Sequence, residues 1–347
     1  MAAYISFQPT DNFKTHLFTG TGASNAQTFP ETTAMQPDIV WIKNRDAADF
    51  HVFANSISGA TKYVETNDSL VQTTNAESVK SFDSDGFTVG TQNEVNTNTE
   101  DFVSWNWKMG TTSGIGGSPS ITPTAYSFNA AAGQSIIQYT GTGVAGTLPH
   151  GLGATPQMII VRNLAGGYNW MVYHEAMNSA GRQLKLNTSG AWTLVTTIWN
   201  NTLPTASLFS VGTNSETNQS ADTLLAYCFT SIKGYSKFGK YVGNGNADGT
   251  FVYTGFRPSW VLIKAYEDAE GWYMYDDKRA GYNADNNILF ANSDSVEDTT
   301  DTVDLLSNGF KLRATGGAYN GSGYNYSYSA FAEFPFVSSN SKAGVAR

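Results

Sequence analysis

The chain has 347 residues and a formal net charge of −9, with 34 glycines and 14% charged residues. Aromatic residues make up 13% of it, which argues against an intrinsically disordered chain, since disorder goes with many charges and few aromatic residues. The acidic balance disfavours nonspecific nucleic-acid binding, and the single Cys228 excludes an intramolecular disulfide and a cysteine zinc site.

The N-terminal segment, residues 1–17, has neither the basic start nor the apolar run of a secretory signal. No apolar stretch of the chain approaches the ~20 residues that span a bilayer. We therefore expect a protein that is made in a cytoplasm and is not inserted in a membrane. We interpret residues 1–17 as an N-terminal arm that docks on a larger particle or on a sister subunit.

A short glycine motif occurs three times, each time as an aromatic residue, one further residue and then G-x-G. It reads FTGTG at 18–22, YTGTG at 139–143 and YVGNG at 241–245. Further along each copy, a proline precedes an apolar run that ends in a basic residue. These runs are DIVWIK after Pro37, QMIIVR after Pro156 and SWVLIK after Pro258.

Other anchors follow in the same order in each copy. An aromatic residue opens a second apolar run, an asparagine ends a third run, and a phenylalanine precedes a closing block. In chain order these anchors are Phe50, Trp170 and Trp272; Asn67, Asn187 and Asn292; Phe87, Phe209 and Phe310; and the blocks DFVSWNWK, TLLAYCFT and YSYSAFA. Because the order and the offsets are nearly constant, we infer an internal repeat of three related units.

The repeat predicts an all-β protein. Its blocks are short, rich in β-branched and aromatic residues, and bounded by Gly, Pro, Asn and Asp, which is typical of strands and turns. No long stretch has a 3.6-residue period with caps, so we expect no long helix. We predict three tandem antiparallel β-sandwich units, jelly-roll-like or lectin-like, of about six to eight strands each.

The predicted boundaries follow from the anchors and from the composition between them. A linker rich in Gly, Ser, Thr and Pro separates the first two units, and a short connection joins the last two. The assignment is an arm at 1–17, the first unit at 18–108, a linker at 109–138, the second unit at 139–230, a linker at 231–240, the third unit at 241–336 and a C-terminal tail at 337–347.

Several motifs invite a chemical interpretation that the repeat does not favour. The G-x-G loops lack the third glycine and the following helix of a dinucleotide site, so we expect backbone bends that need a positive φ or a close approach. Asp83-Ser84-Asp85-Gly86 resembles the start of a calcium loop, but the matching stretches of the other units lack the carboxylates, which favours a β-turn.

No catalytic, cofactor or metal site is predicted. The four histidines, His16, His51, His150 and His174, do not recur at one repeat position and no pair has zinc-ligand spacing. A glycosidase carboxylate pair stays open as a weak alternative, because distances in space are not visible in a sequence.

The basic residue that ends the first apolar run recurs as Lys43, Arg162 and Lys264. Anion or partner binding is one interpretation of this recurrence. We favour the other, a charged strand end that reaches water or pairs with a neighbouring acid.

Aromatic residues that the units do not share are the candidate binding surface. Tyrosines in an alternating stretch of the third unit, mixed with Gly, Ser and Asn, are typical of binding loops, although packing against a neighbouring unit explains them equally well. The long loop of the second unit adds two tryptophans. The candidates are Tyr319, Tyr324, Tyr326, Tyr328, Trp192 and Trp199.

The wording LFTGTG…PDIVWIKNRD…SFDSDGFTVG…FVSWNWK, together with the ending AFAEFPFVSSNSKAGVAR, resembles a family of repeat proteins of marine tailed bacteriophages. Members carry a domain of unknown function and are labelled virion structural or tail-fibre-like proteins. The resemblance covers essentially the whole chain and implies a place on a virion after synthesis in the host cytoplasm. It implies no catalytic or binding residue.

We therefore expect a non-enzymatic virion protein in an exposed fibre or appendage that contacts the host surface, with glycan as the ligand class. A purely structural capsid decoration or cement protein is the alternative, and a glycan-cleaving enzyme is a weak third. The expected partners are other virion proteins, host glycan and further copies of the chain, with a trimer as the arrangement to test. No nucleic-acid partner, membrane insertion or cofactor is expected.

Overall fold

Strands account for nearly all of the regular structure in the computed structural model, which describes residues 7–279, 283 and 286–332. Within these residues the helices are single turns: two of α type, Asn93–Asn96 and Ser215–Asn218, and two of 3-10 type, Pro9–Asp11 and Glu175–Met177. The expectation of an all-β chain without long helices is confirmed. The predicted tail at 337–347 lies outside the described residues.

Nine strands form the first part of the chain. They are β1 (Phe13–Thr19), β2 (Asn25–Thr28), β3 (Ile39–Asn44), β4 (Val52–Asn55), β5 (Lys62–Val64), β6 (Thr73–Thr74), β7 (Val79–Asp83), β8 (Gly86–Val89) and β9 (Asp101–Trp107). They form a large sheet in the order β1-β9-β3-β4-β5-β6 and a small sheet in the order β2-β8-β7.

The second part of the chain also contains nine strands. They are β10 (Ala125–Asn129), β11 (Gln134–Thr140), β12 (Gly146–Pro149), β13 (Met158–Asn163), β14 (Met171–His174), β15 (Arg182–Lys185), β16 (Thr193–Leu194), β17 (Leu208–Val211) and β18 (Thr223–Phe229). The large sheet has the order β10-β11-β18-β13-β14-β15-β16, and β12 pairs with β17.

The third part contains eight strands among the described residues. They are β19 (Ser236–Val242), β20 (Phe251–Tyr253), β21 (Pro258–Ala265), β22 (Trp272–Asp276), β23 (Leu289–Phe290), β24 (Val303–Leu306), β25 (Gly309–Leu312) and β26 (Asn325–Ala332). The sheets have the orders β19-β26-β21-β22-β23 and β20-β25-β24. The closing strands β9, β18 and β26 lie between β1 and β3, between β11 and β13, and between β19 and β21, and every pairing among the described strands is antiparallel.

The first strand of each unit begins earlier in the chain than the predicted start of that unit. Each glycine motif follows its unit's first strand instead of opening it, because Gly20, Gly141 and Gly243 come directly after β1, β11 and β19. Strand β1 therefore begins inside the predicted arm, and β10 and the start of β11 lie inside the predicted linker at 109–138. Most of β19 lies in the predicted connection at 231–240, so neither the arm nor these connections is structureless.

The apolar first runs form strands that are covered on both faces, as their nearly continuous apolar residues lead one to expect. All residues of β3, β13 and β21 are buried. One face of each large sheet packs on that unit's own small sheet, with Phe87, Phe209 or Phe310 in the core between them. The opposite face needs a second cover, because an apolar strand face left in water would cost free energy.

A single apolar core shared by the three units supplies that cover. The closing strands contribute Trp105 and Trp107, Tyr227 and Phe229, and Phe331 to it. A cavity of about 30 Å³ remains there, lined by residues of all three units such as Ile39, Met158 and Trp260. It has room for about one or two waters but not for an organic ligand.

Equivalent hydrogen bonds run around the three unit boundaries. In each, the donor is the ring N–H of the residue that begins β22 or directly precedes β4 or β14. The acceptor is a backbone carbonyl of another unit, two residues before the recurring asparagine of that unit. The pairs are Trp170 Nε1 and Glu65 O at 2.8 Å, Trp272 Nε1 and Lys185 O at 2.9 Å, and His51 Nε2 and Phe290 O at 3.0 Å. These bonds join the first unit to the second, the second to the third and the third to the first.

These contacts correct one repeat anchor. The pairs Ile42↔Val52, Val161↔Met171 and Ile263↔Tyr273 are equivalent, so the residue before each partner is equivalent too. That residue is His51 in the first unit and not the adjacent Phe50. The difference in residue type hides this equivalence in the sequence, although the imidazole and indole N–H groups make the same bond.

The recurring asparagines hold the same strands. Each side-chain Oδ1 accepts a hydrogen bond from the backbone N–H of the ring residue just described. The bonds are His51 N to Asn67 at 3.0 Å, Trp170 N to Asn187 at 3.1 Å and Trp272 N to Asn292 at 2.7 Å. The asparagine anchor of the repeat is therefore structural.

The boundary between the third and first units carries a buried ion network. Glu297 accepts from Arg45 at 2.9 Å and from Arg279 at 3.1 Å, and Arg279 Nε also donates to Asp276 at 2.7 Å. Asp276 accepts in addition from the indole N–H of Trp105 at 3.0 Å. At the position of Asp276 the other units carry Asn55 and His174, which contact the next unit through single uncharged bonds.

We expect Glu297→Gln to destabilise the protein by about 3 kcal/mol at pH 7, because it leaves two buried guanidinium groups without their shared carboxylate. Burial raises the pKa of Glu297, but the Arg45 hydrogen bond and the Arg279 charge outweigh it, so the pKa lies below its ordinary value. The carboxylate therefore stabilises the fold at neutral pH and loses this effect as the pH falls through the folded-state pKa.

Denaturant unfolding at pH 7 and pH 4 measures this effect. The gap between the native protein and Glu297→Gln should narrow at pH 4, and Glu267→Gln, at an exposed glutamate of the same unit, should change stability by less than about 0.5 kcal/mol. Equal effects of the two substitutions would contradict a role of the network in holding the boundary.

Candidate functional site

The glycine loops are saturated with internal hydrogen bonds. In the first loop Gly20 N donates to Glu100 O at 2.8 Å, while Thr21 N and Gly22 N donate to the side chain and carbonyl of Asn96, both at 2.9 Å. Asn218 and Asn320 accept in the same way from the second and third loops. These backbone N–H groups already donate to protein acceptors, so they are not free to bind a phosphate.

Glycine is required in these loops by geometry. A Cβ on Gly20, Gly141 or Gly243 would lie 2.0, 2.0 or 2.3 Å from a backbone carbonyl oxygen. The second glycine of each loop has a φ of +64°, +70° or +65°, which side chains rarely adopt. The interpretation of the motif as a backbone bend is confirmed.

The calcium-like stretch is a hairpin turn. Asp83 pairs with Gly86 where β7 meets β8, Asp83 accepts from Thr88 Oγ1 at 2.7 Å, and Asp85 accepts from Met35 N at 3.0 Å. Among the described residues no group of three or more His, Cys, Asp or Glu side chains is placed to hold a metal ion.

Three of the histidines are held neutral. A donor fills Nδ1 in each, so Nε2 carries the proton and bonds a backbone carbonyl; for His51 the donor is Trp41 Nε1 at 2.9 Å. Burial lowers the pKa of His51 to about 3 and that of both His150 and His174 to about 4. With both ring nitrogens bonded, none of the three is free to act as a general base.

The recurring basic residues do not reach water, so this half of the favoured prediction is wrong. Lys43, Arg162 and Lys264 are fully buried, and burial lowers their pKa to about 8, 10 and 8. Backbone carbonyls surround them: Lys264 Nζ donates to Ala265, Asp268 and Glu270, and also to Ser189 of the second unit at 3.2 Å.

Arg162 makes the corresponding contact one boundary earlier. Its guanidinium donates to Leu70 O of the first unit and to Tyr168 O of its own unit. Anion binding is therefore not available to these residues. Their recurrence reflects the backbone carbonyls of the loops that follow these strands, a feature that no local sequence pattern reveals.

The candidate aromatic residues do not form one surface. Tyr326 and Tyr328 are 0% and 3% exposed and lie in the third unit's own core, where Tyr326 stacks on Tyr241 at 4.8 Å. The prediction that they form a binding face is wrong, because the face opposite Phe331 is covered by the small sheet. Tyr324, which comes just before β26, is exposed, at 39%.

The other three candidates also make internal contacts. Trp199 is buried in the second unit's core, and its neighbour Trp192 lies under the Arg182 guanidinium at 4.1 Å and donates its backbone N–H to Tyr266 O of the third unit. Tyr319 is half-buried, with an edge contact to Tyr273 at 5.8 Å. The tryptophans therefore build the core and a unit boundary.

An exposed aromatic pair occurs instead on the outer face of the third small sheet. Phe251 and Tyr253 of β20 are 44% and 55% exposed, while Val252 between them points into the core. Because alternate strand residues share a face, the two rings stand about 7 Å apart on one side of the sheet. Gly309 opposite Tyr253 leaves room for the Phe251 ring, 3.1 Å from where a Cβ would stand.

Basic residues flank this pair. Lys311 lies opposite Phe251 on β25 and forms an ion pair with the exposed Asp248 at 2.5 Å. Lys237 Nζ lies 5.3 Å from the Tyr253 ring centroid and donates to Tyr253 O at 3.0 Å. We call the set Phe251, Tyr253, Lys237 and Lys311 the aromatic patch.

The other two units lack the aromatic patch. The partners of Phe87 and Phe209 show that Phe251 and Tyr253 are equivalent to Ala26 and Thr28 in the first unit and to Thr147 and Pro149 in the second. Lys311 is likewise equivalent to Thr88 and Ser210. The sequence contains this difference between the units. It becomes visible when the strands that pair with the recurring phenylalanines are compared, because Phe251 and Tyr253 then correspond to smaller residues.

An open cleft of about 610 Å³ lies between the first and second units and is the second candidate site. Its lining includes Gln72, Gln138 and Asp222. These side chains already bond Ser58 at 2.9 Å, Thr124 at 3.2 Å and Asn163 at 2.8 Å. With its polar groups engaged, the cleft carries less ligand-directed chemistry than the aromatic patch.

The structure and its surface define a nearly all-β protein whose exposed distinguishing feature is the aromatic patch. Residues 8–335 match the family model described as "Domain of unknown function (DUF7483)", so the chain belongs to this family. The match runs through all three units. No curated protein and no solved structure shows significant similarity to the chain. No helix in the described part of the chain has the length and apolarity needed to cross a membrane.

Substituting Lys264 by Met should lower the free energy of unfolding by about 2 kcal/mol at pH 7, because several buried carbonyls lose their donor. The folded-state pKa near 8 lies below the ordinary value of 10.5, so the unfolded chain binds more protons between these pH values. The lysine's contribution to stability therefore rises with pH in that window, and the gap to Lys264→Met should widen.

Urea unfolding at pH 7.5 and pH 9.5 tests this, with Lys240→Met at an exposed lysine as the control. The control should show neither the loss nor the pH trend. A constant gap between the native protein and Lys264→Met would show that the buried amine does not titrate as its surroundings require.

The two tyrosines of β26 and its preceding turn should respond differently to truncation. Tyr326→Ala should cost about 3 to 5 kcal/mol, the usual effect of emptying a buried aromatic site. Tyr324→Ala, at an exposed ring, should cost less than about 1 kcal/mol. Thermal unfolding of both variants measures the difference, and a tolerant Tyr326 would contradict its place in the core.

Proposed function

We propose that the protein is a non-enzymatic structural protein of a virion, displayed in an exposed fibre or appendage where it contacts glycans of the host surface. The aromatic patch is the observation that carries the ligand class. Two exposed rings on one rigid strand present flat apolar area that can stack on the apolar face of a pyranose ring. The resemblance to phage virion proteins supplies the setting.

The finer architecture belongs to the same proposal. We describe the chain as three tandem β-sandwich modules, jelly-roll-like or lectin-like, that close into a ring. The paired large and small sheets with an apolar core between them support this description, as do the repeated strand order and the boundary contacts that join the third unit to the first. In this arrangement the shared structure is the scaffold, and the unshared patch is the contact surface.

Side-chain chemistry supports a role in binding over catalysis. The three histidines that are held neutral have both ring nitrogens bonded, and Cys228 is buried, which raises the pKa of its thiol. Burial also raises the pKa of Glu65 to about 7, but its carboxylate lies at the boundary with Arg162 and away from the aromatic patch. None of these groups faces the exposed rings.

A capsid decoration or cement protein is the second candidate. The three-fold arrangement of similar units within one chain favours it, since it would match a local three-fold position on a shell. A homo-oligomer, with a trimer as the arrangement to test, stays a prediction, as do contacts with other virion proteins. Antibody labelling of intact particles decides the location: label at the tail or fibres supports the first candidate, and label on the capsid faces supports the second.

Binding to a glycan array tests the ligand class. The purified chain should bind a subset of glycans, and the double substitution Phe251→Ser with Tyr253→Ser should reduce that binding at least tenfold without changing the unfolding midpoint by more than a few degrees. Leu203→Ser, at a 52% exposed apolar residue of the second unit, should bind as the native protein does. Equal binding by the double variant would refute the aromatic patch as the contact surface.

A further inference from the structure

We infer that the aromatic patch selects acidic saccharides, those whose pyranose rings bear carboxylate or sulfate groups. This inference rests on the proposed function and names its ligand more narrowly. It starts from the charges around Phe251 and Tyr253, which stand apart from the rest of a chain with a net charge of −9. A weakly basic island on an acidic protein attracts anions locally while the remaining surface repels them.

The charges on and beside the outer face can be counted. Lys311 of β25, Arg313 just after that strand and Asp304 of β24 lie on that face, and Lys237 and Asp248 lie beside it. These five described groups are three cations and two carboxylates, an excess of one positive charge within the set. Lys237 is the cation without an acidic partner among these residues, because its hydrogen bond goes to the carbonyl of Tyr253.

The positions of the two lysines suit a ligand that lies across both rings. Lys237 Nζ lies 5.3 Å from the centroid of the Tyr253 ring, and Lys311 is the cross-strand partner of Phe251, so each aromatic residue has a neighbouring lysine. A sugar stacked on either ring would place an equatorial substituent near an amine. The Lys311–Asp248 pair is open to solvent, where ion pairs contribute little, so a ligand carboxylate can replace Asp248 at small cost.

The repeat supplies an internal comparison. The positions of Lys311 and Arg313 are Thr88 and Gly90 in the first unit and Ser210 and Gly212 in the second, by their pairing with the small-sheet strands. Neither the rings nor these cations are needed to form the small sheet, since two units form it without them. The two exposed rings and the two cations therefore occur in the same unit, and the other two units have neither at these positions.

Calorimetric titration with two oligosaccharides of equal length tests the inference: tetragalacturonic acid, which carries a carboxylate on each ring, and neutral cellotetraose. At 50 mM NaCl the acidic tetramer should bind at least tenfold more tightly, and 0.5 M NaCl should remove most of that preference. The double substitution Lys237→Gln with Lys311→Gln should reduce acidic binding to the neutral level. Lys240→Gln, at an exposed lysine on the same strand as Lys237, should not.

The outcomes separate this inference from the proposed function. Equal binding of both tetramers, lost in the Phe251→Ser, Tyr253→Ser variant, overturns acidic selectivity and leaves glycan contact standing. Acidic binding that survives in that variant overturns contact through the aromatic pair. Binding of neither tetramer overturns acidic selectivity, and the glycan array then decides the proposed function.

Discussion

The shared apolar core is the constraint on which the rest of the structure depends. Each unit's large sheet has an apolar face that its own small sheet does not cover, and a chain of three such units can bury all three faces only by turning them toward one another. Trp105, Tyr227 and their neighbours on the closing strands meet there. Contacts between the third and first units accompany this shared core.

The contacts between units also explain the buried charged side chains. Two boundaries join units that are consecutive in the chain, whereas the boundary between the third and first units brings distant segments together. The ion network of Arg45, Glu297, Arg279 and Asp276 lies at that boundary. Lys264 and Arg162 reach across the other two boundaries to backbone carbonyls, so charge stabilises loop backbone where strands end.

An internal repeat separates structural residues from functional candidates without any homologous sequence. Residues that recur, such as the loop glycines, Asn96 with its counterparts and the buried cations, each have a structural partner in all the units that carry them. Residues that do not recur and are exposed have no such explanation. Phe251 and Tyr253 meet both conditions, whereas Tyr326 and Tyr328 fail the second because they are buried.

The amino-acid sequence by itself determined the all-β class, the triple repeat, the doubly covered first runs and the bends at the glycine motifs, because these depend on residue type and short-range periodicity. Only the tertiary structure decided that Tyr326 is buried, that His51 replaces a tryptophan at a unit boundary and that Lys43, Arg162 and Lys264 lie in the interior. Each of these depends on which surface covers a strand face or loop, and that surface comes from residues far away in the chain. The exposure of Phe251 and Tyr253 also depends on tertiary structure. Their alternation with Val252 is visible in the sequence, but they are exposed because no further layer of the described structure covers that face of the small sheet.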